Sequence, residues 1–273
     1  MISRIPPCIT SPHNPKVKLA QRLRDSKTRR KLERFLIDGE QEILAAHAAG
    51  VELECVFADS LDGAPPPAWL TGLEPLYQPV TRQILSRISY GDRQDAPVAI
   101  AVSRKLSIAD LDLHAPKLLL VLDRTEKPGN IGACLRSAAA CGVDAVVLTN
   151  PTCELFNPNA IRASRGAIFK IPIAHATVEE LLDACAAWKI PVCTARVDAQ
   201  HQLWECEFQP AVAVVFGNEA NGLGEEWDVA QVLPYRIPMS SSTDSLNLSI
   251  SAAVTLYEAV RQQAEFDPRL KRV

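Results

Sequence analysis

No run among the 273 residues approaches the roughly 18 consecutive apolar positions that a membrane-spanning helix requires. The opening stretch, MISRIPPCITSPHNPKVK, has no apolar core of the secretory type, and a cytoplasmic protein is expected. The eight cysteines, at 8, 55, 134, 141, 153, 185, 193 and 206, form no CxxC pair. Neither zinc-ligand spacing nor a disulfide framework is suggested, and reduced, mostly buried thiols are expected. The five histidines, at 13, 47, 114, 175 and 201, are as dispersed, which offers no His-based metal site or triad and leaves a metal-free mechanism as the expectation.

What the sequence does hold is an uneven charge. The net charge is −3, yet residues 1 to 40 carry ten Lys/Arg against four Asp/Glu, and the remainder carries nineteen against twenty-eight. Positive charge is therefore gathered at one end, where a phosphate backbone could meet it.

Asn14-Pro15 reads as an N-cap followed by proline in the first helical position, opening a basic helix through Lys16, Lys18, Arg22 and Arg24. A second basic cluster, Lys27 to Lys31 with Arg34, follows. Then come FLID as a strand, EQEILAAHAAG as a helix closed by Gly50, VELECVFAD as a strand, a Pro/Gly-rich loop LDGAPPPAWLTGLEP, the helix TRQILSRIS and the strand PVAIAV. These form a small α/β domain over residues 1–105, with 106–115 as a connector. From KLLLVLD onward, continuous apolar runs (DAVVLT, PVCTA, AVAVVFG, YRIPM) alternate with helical patterns such as IGACLRSAAACG and VEELLDACAAWK. That alternation predicts a parallel sheet covered on both faces, an α/β domain over 116–273.

Three segments of this second domain carry polar residues suited to chemistry. The first runs from Asp123 through Lys127-Pro-Gly-Asn130 to Arg136, a strand end turning into a helix whose exposed N–H groups suit an anion. It lacks a P-loop lysine and the GxGxxG spacing of a dinucleotide site, which weighs against a dehydrogenase or other doubly wound small-molecule enzyme. Arg136 lies six residues beyond Asn130, on the second helical turn, and is expected to direct its guanidinium back toward the loop. The second segment, VFGNEANGLG over 215–224, is a strand followed by a glycine-rich loop at a strand's carboxyl end. The third, IPMSSSTDSLNLS, enters an amphipathic helix with Asp244 or Ser245 as the expected cap.

Taken together, NIGACLRS, FGNEANGLG and IPMSSSTDSLNLSISAAVTLYE resemble the three signature motifs of the SpoU (TrmH) family of RNA ribose 2′-O-methyltransferases. The resemblance implies a catalytic domain with a deep trefoil knot, a homodimer, and S-adenosylmethionine as cofactor. Cofactor contacts are then expected from Thr194, Ala195, Gly217, Ile237, Ser245, Leu246 and Asn247, largely through backbone groups within an apolar wall. Catalysis is expected from Arg136, Asn130 and Asn247, with Asn130 orienting Arg136 or the ribose and Glu219 fixing the loop or pairing with Arg136. A neutral arginine base is expensive, its solution pKa lying above about 12, so Arg136 is expected to grip a phosphate and stabilise the developing alkoxide.

NPNAIRASRGAIFKIPI also resembles the family, with Arg165 as a further phosphate contact and a detail shared with thiopeptide-resistance ribosomal RNA enzymes. The N-terminal part resembles a substrate-binding extension akin to ribosomal-protein-like RNA binders, using Arg22, Lys27, Arg29 and Arg30 on phosphates. Ribosomal RNA, 23S in particular, is favoured as substrate; a transfer RNA enzyme and a non-catalytic RNA-binding relative remain as alternatives.

Overall fold

The computed structural model describes residues 6–60, 65–91, 95–104, 106–240 and 245–263. In chain order the first elements are α1 (Pro15–Arg22), α2 (Ser26–Leu32), β1 (Arg34–Asp38), α3 (Glu40–Ala48), β2 (Leu53–Asp59), β3 (Tyr77–Val80), α4 (Arg82–Ile88) and β4 (Val98–Val102). There follow β5 (Leu118–Asp123), α5 (Pro128–Cys141), β6 (Ala145–Thr149), α6 (Pro158–Ser164), α7 (Ala167–Lys170), β7 (Ile173–Ala176) and α8 (Val178–Trp188). The last are β8 (Val192–Ala195), β9 (His201–Gln202), β10 (Val212–Phe216), β11 (Val232–Arg236) and α9 (Leu248–Gln263). None of the described helices is long and apolar enough to cross a membrane.

The ends of these helices follow from local chemistry. The Asn14 side chain accepts from the Lys16 N–H at 2.9 Å and Pro15 pre-sets the first helical φ. Asp25 caps α2 through the Thr28 N–H at 2.7 Å, and that hydrogen bond holds its carboxyl below the ordinary aspartate range. Thr177 and Glu180 form a reciprocal capping box at the start of α8.

The chain divides into two compact units, Met1–Arg104 with Phe156–Phe169, and Lys105–Leu155 with Lys170–Val273. The first unit holds a four-stranded sheet in the order β1-β4-β2-β3, with β2 and β3 parallel and the other pairs antiparallel. Val17, Ala20, Leu23, Leu36, Phe57, Ile84 and Ile100 share its core. Strand β3 went unread in the sequence because Tyr77-Gln-Pro-Val80 is short and contains proline, which an edge strand tolerates.

Two boundaries differ from the sequence reading. Residues 156–169, expected within the catalytic domain, group with the first unit, where Phe156 stacks on Phe35 with ring centroids 4.3 Å apart and Phe169 stacks at 6.3 Å. Within the expected connector, Ile108, Leu111 and Leu113 pack on the core of the second unit, and the Leu106 carbonyl accepts from the His175 N–H at 3.1 Å.

The second unit is an all-parallel seven-stranded sheet in the order β7-β6-β5-β10-β8-β11-β9. Every residue of β5, β6 and β10 is buried, as expected for strands covered on both faces. Helix α8 and Trp227 contribute to the cover on one side of the sheet, and α5 packs against α9. Strand order reverses between β5 and β10, so the loops leaving their carboxyl ends lie side by side, the place where open α/β sheets bind ligands.

Candidate active site

The turn after β5 and the loop after β10 are fastened to each other. Arg124, in the left-handed region at φ 49°, offers its backbone carbonyl to the Asn218 side-chain amide at 2.9 Å, and its guanidinium pairs with Glu226. The Asn218 side-chain oxygen accepts from the Ala220 and Asn221 N–H groups at 2.8 and 3.1 Å, and its backbone exchanges two hydrogen bonds with Gly222. A Cβ on Gly217 would lie 2.3 Å from the Gly222 carbonyl carbon, so only glycine lets the loop fold back this closely.

From this base a polar chain joins all three segments. The Asn130 amide donates to Glu219 at 2.7 Å, and the Asn247 amide donates to the Asn130 oxygen at 3.3 Å. The other Glu219 oxygen accepts a longer bond, 3.5 Å, from the Glu126 N–H. The Asn247 oxygen takes the Ser249 N–H at 2.9 Å and thereby caps the entry to α9. That cap was assigned to Asp244 or Ser245 from the sequence; Asp244 lies outside the described residues, and Asn247 caps in place of Ser245.

Beside this chain, within the second unit, opens a cavity of about 710 Å³. Its wall includes Ala195, Gly217, Ile237, Ser245, Leu246 and Asn247, six of the seven positions expected to hold the cofactor. Thr194 is not among them. It is fully buried and borders a different cavity, of about 640 Å³, because neighbouring side chains of a strand point to opposite faces.

The wall also holds Lys127, Arg196, Asp198 and Met239, which the sequence reading passed over. Arg196 and Asp198 lie one and three positions after Ala195, and chain order was the available signal; Lys127 sits inside the first polar segment, between Asp123 and Arg136. Size and lining fit an adenosine-containing sulfonium amino acid: apolar Ala195, Ile237, Met239 and Leu246 for a base, and the carboxylates of Asp198 and Glu219 for cationic groups.

Arg136 is exposed on α5, lies outside the cavity wall and makes no ion pair among the described residues. Of the two roles expected for Glu219, its bonds to Asn130 and to the Glu126 N–H fit fixing the loop and not pairing with Arg136; the Asn130 side chain is engaged by Glu219 and Asn247, which leaves the ribose rather than Arg136 as the group it could orient. Six residues on a helix turn the side chain about 240°, so Arg136 and Asn130 do not share a face.

Arg165 is exposed in the first unit, ending α6 in the left-handed conformation at φ 50°. Arg22, Lys27 and Arg30 are exposed on α1 and α2. Arg29 is corrected. Only 3% exposed, it donates to the Leu23 and Arg24 carbonyls at 2.9 and 2.8 Å, which makes it a brace between the helices rather than a surface contact.

Among the described residues no cluster of three His, Cys, Asp or Glu could hold a metal. Burial, aided by the Glu219 charge, pushes the Cys134 thiol up to about 12, and burial does the same for Cys141 and Cys185.

Comparison with known proteins agrees with this geometry. Residues 117–257 match the SpoU rRNA Methylase family and residues 14–99 an MRM3-like substrate binding domain. The chain belongs to the SpoU rRNA methylase family.

It is 30% identical over 268 residues to an uncharacterized tRNA/rRNA methyltransferase of Synechocystis, covering 93% of this chain and 94% of that one. It is 39% identical over 151 residues to the 23S rRNA (guanosine-2′-O-)-methyltransferase RlmB of Xylella fastidiosa, which is 54% of this chain and 59% of that protein. It also resembles the crystal structure of an AdoMet-bound rRNA methyltransferase from Sinorhizobium meliloti, with a TM-score of 0.81, 26% identity, and 93% and 97% of the two chains covered.

Proposed function

We propose that this protein transfers a methyl group from S-adenosylmethionine to a ribose 2′-hydroxyl of 23S ribosomal RNA, working as a cytoplasmic homodimer. The observation that carries the reading is the convergence of three separate segments on one cavity, joined by the hydrogen-bonded chain Asn247–Asn130–Glu219. The methyl donor is S-adenosylmethionine, which supplies a methyl carried on a positively charged sulfur. Ala195, Gly217, Ile237, Ser245, Leu246 and Asn247 would hold it, and Asn247 links that wall to Asn130.

The ribose oxygen gains the methyl and gives up its proton. Arg136, exposed on α5 outside the cavity wall and unpaired among the described residues, is free to grip a phosphate of the target nucleotide, and in this reading the RNA brings the developing oxyanion to its guanidinium while phosphate or water takes the proton. Because two parallel N–H donors do the gripping, Arg136→Lys is expected to lose most of its turnover while keeping its cofactor affinity.

Ribosomal RNA as the substrate is supported by the activities of the Xylella and Sinorhizobium relatives and by the exposed Arg22, Lys27, Arg30 and Arg165 of the first unit. The dimer is supported by apolar side chains left in solvent, with Ile250 52% and Tyr257 55% exposed two turns apart on one face of α9. The knot is supported by topology: from β11, near the sheet's edge, the chain must return past β8 and β10 for α9 to pack on α5.

The test is transfer of labelled methyl from S-adenosylmethionine to unmodified ribosomal and transfer RNA, followed by alkaline hydrolysis. Label in alkali-resistant dinucleotides of 23S RNA is the expected result. Label in mononucleotides would mean base methylation, label in transfer RNA alone would replace the substrate, and no transfer from a cofactor-binding protein would favour a non-catalytic RNA binder.

A further inference from the structure

Lys127 occupies the N-cap position of α5, with φ −90°, ψ 112° and no side-chain hydrogen bond to the helix. Such positions favour side chains carrying an acceptor oxygen, whereas an ammonium has three donors and no acceptor. Its charge also meets the positive end of the helix dipole, and the first turn of α5 contains no acidic residue to offset it. The stability of α5 therefore gives no reason for a lysine here.

Its surroundings do give one. Lys127 is exposed and lies in the wall of the 710 Å³ cavity, together with residues 217–223 and 245–248. The other cation of that wall, Arg196, is satisfied by Asp228 at 2.6 Å. Lys127 has no carboxylate partner among the described residues; Glu219, in the same wall, is taken by Asn130 at 2.7 Å. Lys127 is three positions before Asn130 and shares the cavity wall with residues of the second and third segments, so this free charge stands where the three segments meet.

We infer that Lys127 binds an oxyanion at that end of the cavity, either the carboxylate of the cofactor's amino-acid moiety or a phosphate of the RNA beside the target ribose. The inference rests on the methyltransferase reading of the cavity. A carboxylate held there would orient the amino-acid arm of the cofactor, and a phosphate held there would fix the register of the nucleotide entering.

The experiment uses the full chain and its Lys127→Gln and Lys127→Arg variants. Calorimetry is run with S-adenosylhomocysteine and with 5′-methylthioadenosine, which lacks the carboxylate, and RNA affinity is measured across a salt series. If the cofactor carboxylate is the anion, Lys127→Gln binds S-adenosylhomocysteine about tenfold more weakly and 5′-methylthioadenosine as before, with Lys127→Arg restoring most of the loss. If an RNA phosphate is the anion, both nucleosides bind normally, and RNA affinity falls with a salt slope shallower by about one contact.

Nucleoside and RNA binding both equal to wild type would overturn the inference. An equal loss for both nucleosides would overturn it too, by showing that the change perturbs the base pocket. Failure of the wild-type chain to bind S-adenosylhomocysteine would instead overturn the methyltransferase reading.

Discussion

Replacing Gly217 with alanine tests how tightly the loop after β10 is built. The new Cβ would stand 2.3, 2.4 and 2.6 Å from the carbonyl carbon and oxygen of Gly222 and the nitrogen of Leu223. All three are backbone atoms in a turn closed by the Asn218–Gly222 bonds of 3.0 and 2.9 Å, so no side chain can swing aside. The loop must retreat by about an ångström to reach ordinary carbon contact. Overpacking of this kind costs about 1–3 kcal/mol.

Retreat would also pull Glu219 from Asn130, a bond to a charged group worth about 1.5–3 kcal/mol. Affinity for S-adenosylhomocysteine, read by calorimetry, should then fall about 10- to 100-fold. The melting temperature should drop by about 2–4 °C for each kcal/mol lost. Wild-type affinity in Gly217→Ala would refute the reasoning whether or not the melting temperature moved, because the loop would then not shape the site.

The arginines of α1 and α2 should separate into two classes. Arg29→Ala should lower stability by about 1.5–3 kcal/mol in urea unfolding, through its bonds to Leu23 and Arg24, while Arg22→Ala, Lys27→Ala and Arg30→Ala should leave stability unchanged and weaken RNA binding in a salt-dependent way. Glu226→Gln removes the nearer of the two ionic partners of Arg124, leaving only Asp123 at 3.9 Å, and is expected to weaken S-adenosylhomocysteine binding several-fold, with the loss smaller in Glu226→Asp. The thiols of Cys134, Cys141, Cys185 and Cys193, raised by burial from 9.0 to about 12, should resist aromatic disulfide reagents until the chain unfolds. Above about pH 9 the unfolded chain releases thiol protons that the folded one retains, so stability should decline as pH rises from about 9 to about 12, read by unfolding at fixed urea.

Much of the fold was visible in the pattern of the chain because its buried strands are continuous apolar runs and its helices carry their own caps. Asn14-Pro15 announced α1, and KLLLVLD could hardly be anything but a central strand. The elements that escaped are those whose formation depends on distant partners. Strand β9 has only two residues and exists by pairing with β11. The same distinction holds at the site. Asn130, Gly217 and Asn247 stand inside recognisable motifs, whereas the bond that makes a unit of Asn130 and Glu219 spans 89 positions in the chain. Arg29 misled because a basic cluster shows charge and hides direction: one arginine among exposed neighbours turned inward to the carbonyls ending α1.

The stacking of Phe156 and Phe169 on Phe35 limits how this protein could be recombined. A chimera made by cutting after Arg104 and fusing the basic half to another catalytic half would leave Phe35 facing whatever the new host supplies at 156–169. A transplantable recognition module is thus discontinuous, two stretches of chain that must travel as one heritable block. A swap that carries 156–169 along should yield well-behaved protein, and one that omits it should yield a half with a sticky aromatic face.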